Sequence, residues 1–151
     1  MKRRRRSESG QAAVESAFSL LFFLAFLLVL ADVSRICYNW VCLQYAINEA
    51  ARYGSLGKKD GHENREQAIE KKVEDKAEEL GLRDVKVTMI DKDGGATAGL
   101  PMTFYRLQAE TKVKLTPLSE ILAQLAGDVS GNWRVTVETL VRNEPFSEDE
   151  S

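Results

Sequence analysis

From Ser16 to Ala31 the chain carries no charged side chain, and SAFSLLFFLAFLLVLA is apolar on every side when wound as a helix. Such a run offers no polar face to water, so it does not read as an ordinary surface helix of a soluble domain. The stretch Gln11–Ala31 is 21 residues long and holds neither proline nor glycine. At about 1.5 Å per residue it spans roughly 32 Å, which matches a bilayer core of about 30 Å. Lys2 and Arg3 to Arg6 precede it. Basic residues on one flank hold that end in the cytoplasm, so the expected topology is single-pass, N-terminus inside and C-terminal part outside.

The rest of a 151-residue chain suffices for one modest folded unit. A formal charge of −2 argues against a nucleic-acid partner, whose phosphates demand a basic surface. Residues 1–10 read as a basic leader, disordered or surface-bound. Residues 11–53 read as one long helix, transmembrane over 11–31 and amphipathic beyond. In that second half Val33, Ile36, Cys37, Trp40, Val41, Tyr45 and Ala46 recur at helical spacing and are expected to pack on the globular part. Tyr38, Trp40 and Tyr45 also suit an outer lipid interface. Gly54, Gly57 and Gly61, with Lys58, Lys59 and Asp60, predict a helix stop and loop.

Residues 54–151 are expected to form a small extracytoplasmic α+β domain. Glu63 to Leu80 predicts an amphipathic helix with Ile69, Val73, Ala77 and Leu80 on one face, closed by Gly81. Asp84 to Ile90 alternates as a half-buried strand, with Val85, Val87 and Met89 inward. A turn-rich loop from Asp91 to Pro101 leads to a second strand, Phe104 to Leu115, with Leu107, Ala109, Thr111, Val113 and Leu115 on one side. Pro117 opens a short helical or irregular piece, and Trp133 to Val141 supplies a third strand before an acidic tail. The fold class is therefore α+β: a long hydrophobic N-terminal helix, one or two further helices and a three-stranded antiparallel sheet. The amphipathic half of the long helix is expected to form one wall of the core.

Residues suited to chemistry are scarce, and the reading is of a chain that is not an enzyme. Cys37 and Cys42 lie five apart on a helix, about 140° around the axis and roughly 8 to 9 Å between Cα atoms, beyond the reach of a disulfide. His62 falls in a polar loop without a catalytic companion, and no ligand set for zinc is present. The acidic residues of the Asp91–Pro101 loop lack EF-hand spacing and read as turn residues. No catalytic residue, cofactor or metal is expected.

Glu15 is the exception within the apolar helix, where a carboxylate is costly unless it lies near the interface, is neutralised or meets a cation. A cut between Gly10 and Gln11 would create an α-amino group about one helical turn from Glu15. In a bundle, Glu15 of one subunit would then meet the Gln11 amine of another and set register.

The string KRRRRSESGQAAVESAFSLLFFLAFLLVLADVSRICYNWVCLQYAINEAARYGS resembles the N-terminal region of the TadE-like minor pilins, or pseudopilins, of the Tad (Flp) branch of type IV pilus systems. The basic head, Gly10, Gln11 to Val14, Glu15 and the charge-free run resemble a class III prepilin signal with its processing site. NEAARYG (48–54) and VETLVRNE (137–144) resemble later strings of that family. The resemblance implies a structural protein that helps initiate, anchor or assemble the pilus. It implies cleavage by a prepilin peptidase between Gly10 and Gln11 and an assembly role for Glu15. Implied partners are that peptidase, an inner-membrane assembly platform, other minor or major pilin subunits and membrane lipid; the implied location is the bacterial inner membrane and the pilus. Cleavage removes five basic residues and one acidic one, taking the formal charge from −2 to −6, which opposes simple self-association of the outer domain. Two other readings remain at this point. One is an uncleaved signal anchor that presents a binding or scaffold domain. The other is a soluble exported domain, cut after Ala31 with Phe18–Leu30 as the hydrophobic core of its signal.

Overall fold

The computed structural model describes residues 4–57, 64–125, 127 and 132–145. Among the described residues the elements follow in the order α1 (Arg4–Ser55), α2 (Arg65–Glu79), β1 (Lys86–Asp91), β2 (Phe104–Lys114), α3 (Pro117–Leu125) and β3 (Asn132–Arg142). They divide between two compact units. One is Met1–Arg35 with Lys114–Gly131; the other is Ile36–Val113 with Asn132–Ser151. The α+β class, the long apolar helix and the three-stranded antiparallel sheet are as the sequence predicts. His62, Gly61 and the Lys58–Asp60 loop lie outside the described residues.

The first unit holds the apolar half of α1 and the short helix α3. α1 begins at Arg4, not at Gln11, so residues 4–10 of the basic head are helical rather than disordered. Once the apolar turns exist, each added residue costs little, and nothing between Arg4 and Gly10 forbids the extension.

The second unit is built around the sheet, in the order β1-β2-β3. β1 and β2 pair antiparallel, with Lys86 opposite Glu110 and Asp91 opposite Tyr105. Arg106 faces Glu138 at 3.8 Å and Arg134 faces Glu110 at 3.2 Å, so advancing along β2 retreats along β3 and that pair is antiparallel too. β2 alternates as expected, burying Leu107, Ala109, Thr111 and Val113, and it adds Tyr105, which the sequence reading left out. Leu115 falls just past the strand and is half-buried. The β1–β2 connection starts as a turn over Lys92 and Asp93, with Gly94 N donating to Asp91 O at 3.2 Å and Gly94 at φ +85°. Asp91 N donates to Gly95 O at 2.9 Å and closes it.

α2 turns Ala68, Ile69, Val73 and Ala77 to the core, with Leu80 half-buried, as its spacing predicts. Gly81, at φ +81°, ends it: Gly81 N donates to Glu78 O and Leu82 N to Ala77 O, both at 2.9 Å. These two bonds form a Schellman motif that satisfies the last carbonyls and buries Leu82.

The third wall comes from the second half of α1, but by a different face from the one expected. Cys42, Leu43, Ala46, Ile47 and Ala50 are buried and Ile36 is partly so, while Val33, Cys37, Trp40, Val41 and Tyr45 are exposed. Gly54 is likewise not a stop but a helical contact point. A Cβ placed there would sit 2.6 Å from both Ile69 Cδ1 and Tyr105 Oη. Helix propensity favours Gly54→Ala by about 0.5–1 kcal/mol, whereas a larger side chain overpacks a filled core at about 1–3 kcal/mol. Gly54→Leu is therefore expected to lower the unfolding midpoint of the detergent-solubilised chain, and Gly54→Ala to lower it less.

Tyr105 is buried, and its hydroxyl has no hydrogen-bond partner among the described residues. Burial pushes its pKa from 10.0 up to about 12, with the Arg65 guanidinium opposing. The folded state thus holds the phenolic proton after the unfolded chain has lost it. Stability from this group is intact below pH 10 and falls as pH rises toward 12. Tyr105→Phe should abolish that share of the alkaline loss and be neutral or stabilising at neutral pH, because a buried unpaired hydroxyl is removed. Thermal unfolding across pH 8 to 12, a range of about two units on either side of the ordinary tyrosine pKa, measures both effects.

Candidate functional site

On the apolar half of α1, Ala12, Glu15, Ser16, Ser19, Leu20 and Phe23 line one shallow surface. The Ser16 hydroxyl donates to Ala12 O at 2.8 Å and is satisfied within the helix. Gln11 and Glu15 are both exposed and, four residues apart, share that side of the helix. From Val14 to Leu30 the large apolar side chains are exposed, Phe22 to 73%. This is a helix long and apolar enough to cross a membrane.

Gly10 lies within α1, and a Cβ added to it would meet nothing within 4 Å. Neither packing nor a left-handed φ calls for glycine here, yet glycine inside a helix costs about 0.5–1 kcal/mol relative to alanine. Its smallness therefore serves nothing inside the described chain. Gly54, in the same helix, is required by contacts with Ile69 and Tyr105.

At the other end of the apolar run, Asp32 is almost fully buried, at 3% exposure. Its carboxylate accepts hydrogen bonds from Thr116 N at 3.1 Å to each oxygen and from Thr116 Oγ1 at 2.7 Å. Arg35, one turn on, lies 3.4 Å from Asp32 Oδ1. Thr116 is the residue before α3, and its carbonyl accepts the Glu120 N–H of that helix. Pro117 then occupies the first helical position, where its missing N–H is no loss. A carboxylate at this helix N-terminus also matches the helix dipole. Asp32 and Thr116 are 84 residues apart.

Residues 10–52 match the family described as TadE-like protein. Over that stretch the chain is similar to the TadE-like family. No curated protein and no solved structure matches it.

The TadE-like segment thus contains Gly10, Gln11, Glu15 and Asp32, while Thr116 lies beyond it. The sequence reading singled out Gly10, Gln11 and Glu15, and the structure sets Gln11 and Glu15 on one exposed side. It missed Asp32 and Thr116. The usable signals were that Asp32 is the first charge after the apolar run and that Thr-Pro is a helix-opening pair. Of the two cysteines in the TadE-like segment, Cys37 is exposed and Cys42 buried, and both are free.

Away from that segment, the Asp91–Thr103 loop is fastened from beneath. The buried Arg65 guanidinium donates to the carbonyls of Ala98 and Gly99, the latter at 2.7 Å, and lies 5.9 Å from the Tyr105 ring centre. Burial lowers its pKa, with Tyr105 and Glu66 opposing. Asn143 Nδ2 donates to Ala98 O at 2.9 Å and to Leu100 O at 2.8 Å, and Glu66 accepts the Ala98 N–H at 3.1 Å. Asp91 Oδ1 accepts from Asp93 N at 2.8 Å and Gly95 N at 2.7 Å, so this carboxylate is spent on its own turn. Among the described residues no group of three or more His, Cys, Asp or Glu is placed to hold a metal ion.

Removing the Asp32 carboxylate leaves the Thr116 N–H without its acceptor, at about 1–3 kcal/mol. Asp32→Ala should therefore raise hydrogen exchange at Thr116 and the first turn of α3 by one to two orders of magnitude, roughly the equivalent of that energy. Exchange in β2 at Leu107 and Ala109 should stay unchanged.

Proposed function

We propose that this chain is a minor pilin or pseudopilin, a structural and non-catalytic component that helps initiate, anchor or assemble a Tad/Flp type IV pilus after its leader is cut between Gly10 and Gln11. The observation that carries the reading is the TadE-like match over residues 10–52 lying on a helix whose apolar half is uncovered from Val14 to Leu30. An uncovered apolar helix needs lipid or other helices around it, and a pilin meets each in turn. Gly10, which no internal contact explains, suits a peptidase that must close around the chain at that point. The peptidase, an inner-membrane platform and other pilin subunits are the proposed partners. The N-terminus is assigned to the cytoplasm and the sheet-bearing part to the outside, on the basic flank at Lys2 to Arg6.

Glu15 is assigned the assembly role. It lies four residues beyond Gln11 on the same exposed side, so the amine released at Gln11 on one subunit can neutralise Glu15 on its neighbour. Cleavage after Ala31 fits less well. It would cut α1 where the helix runs unbroken and would make Asp32, the anchor of α3, the new terminus.

The test is the intact mass and N-terminal sequence of the protein from membranes of its native host. A chain beginning at Gln11 is expected. A start at Met1 would replace this reading with an uncleaved anchor, and a start at Asp32 with a soluble exported domain. Gly10→Leu should leave the leader attached. Glu15→Leu should insert and be processed yet yield few or no pili; normal piliation would remove Glu15 from the assembly role.

A further inference from the structure

α3 belongs to the same compact unit as the apolar half of α1. Asp32 is the first charged residue after the run that ends at Ala31, and it binds Thr116, the residue before α3, through both the backbone N–H and the hydroxyl. The start of α3 is therefore fixed at the level of α1 where the apolar span gives way to charge. α3 leaves Ile121 55% and Leu125 79% exposed. Four residues apart, they share one side of the helix. The sequence PLSEILAQL holds a single ionisable residue, Glu120, in its first turn. Lys114, two residues before Thr116, is exposed, as is Arg35, one turn beyond Asp32; such cations suit lipid phosphates.

We propose that α3 is an interfacial helix, lying in the headgroup and acyl boundary of the phospholipid leaflet at the Ala31 end of the span. Ile121 and Leu125 enter the lipid, and the Asp32–Thr116 clamp sets the depth. This rests on the reading of Gln11–Ala31 as membrane-spanning. A leaflet is the one apolar phase that a helix tethered at the end of a span necessarily meets. A short amphipathic helix too weak to hold a membrane alone is held there by its tether, because the cost of bringing it to the surface is borne by the span.

The test uses the full-length chain in nanodiscs of phosphatidylcholine and phosphatidylglycerol. Nitroxide labels are placed through Leu125→Cys, Glu120→Cys and Phe22→Cys, each in a Cys37→Ser background, with Ile121→Cys as a second reporter of the apolar side; Glu120, one residue before Ile121 and five before Leu125, lies on another side of the helix. Collision with oxygen, which concentrates in lipid, is compared with collision with a water-soluble nickel chelate. The ratio of the two at Leu125 and Ile121 is expected to be several-fold above that at Glu120 and to approach that at Phe22. Asp32→Ala should collapse the contrast. Leu125 and Ile121 as open to the nickel reagent as Glu120, with Phe22 still in lipid, would overturn the interfacial helix and leave the span intact. Closure of Leu125 and Ile121 to both reagents would mean that a protein surface covers them, which also overturns it. Phe22 in water would remove the span reading and this proposal with it. A contrast that survives Asp32→Ala would overturn the role of the clamp.

Discussion

One uninterrupted helix has to satisfy two different surroundings. α1 runs 52 residues without proline, and its first half has nothing to bury while its second half is a wall of a packed core. Such a helix cannot be stabilised by a single amphipathic stripe. The apolar half gains from every side when lipid surrounds it. The later half gains along one side, where Ile36, Cys42, Leu43, Ala46, Ile47, Ala50 and Gly54 join the core. The change of surroundings falls near Asp32, where a carboxylate appears and is at once consumed by Thr116.

Two polar anchors share a logic. Asp32 and Arg65 are charged and buried, a combination that is costly unless the charge is fully hydrogen-bonded. Each spends its hydrogen bonds on backbone far away in sequence: Asp32 on the entry to α3, Arg65 on the carbonyls of Ala98 and Gly99. Neither is therefore best understood as a source of stability. Each fixes where a connection runs, because an apolar residue of the same size would offer those backbone groups no partner.

Much of this was legible in the sequence because period and burial agree where one face is polar. β2 alternates cleanly, and α2 shows Ile69, Val73 and Ala77 against a charged background. The second half of α1 misleads because both of its sides carry apolar residues. Val33, Trp40, Val41 and Tyr45 form a stripe as regular as the true one, yet they are exposed. The buried side joins Leu43 and Ile47 to small residues, Ala46, Ala50 and Gly54, the last of which admits Ile69 and Tyr105 closely; tryptophan and tyrosine present more apolar area and draw the eye to the other side. The Asp32–Thr116 clamp was illegible for another reason. Two ordinary residues 84 positions apart carry no local period, and only the path of the chain brings them together. Gly10, Gln11 and Glu15, whose roles are proposed, stand out in the sequence on a local pattern: a basic flank, a small residue and a lone carboxylate in an apolar run.

In the proposed assembly the apolar side chains and Glu15 do different things. Lipid tails are as apolar as leucine, so Phe22, Phe26 and their neighbours gain little by leaving lipid for another helix. They hold the chain in an apolar phase without choosing a partner or a register. Glu15 distinguishes the two surroundings, because an ionised carboxylate is costly in hydrocarbon and is relieved by a cation at one height on a neighbouring helix. A subunit set by that single contact keeps the same vertical offset from its neighbour whatever the surrounding phenylalanines and leucines do. That is how a span with so little polar character can specify an ordered array.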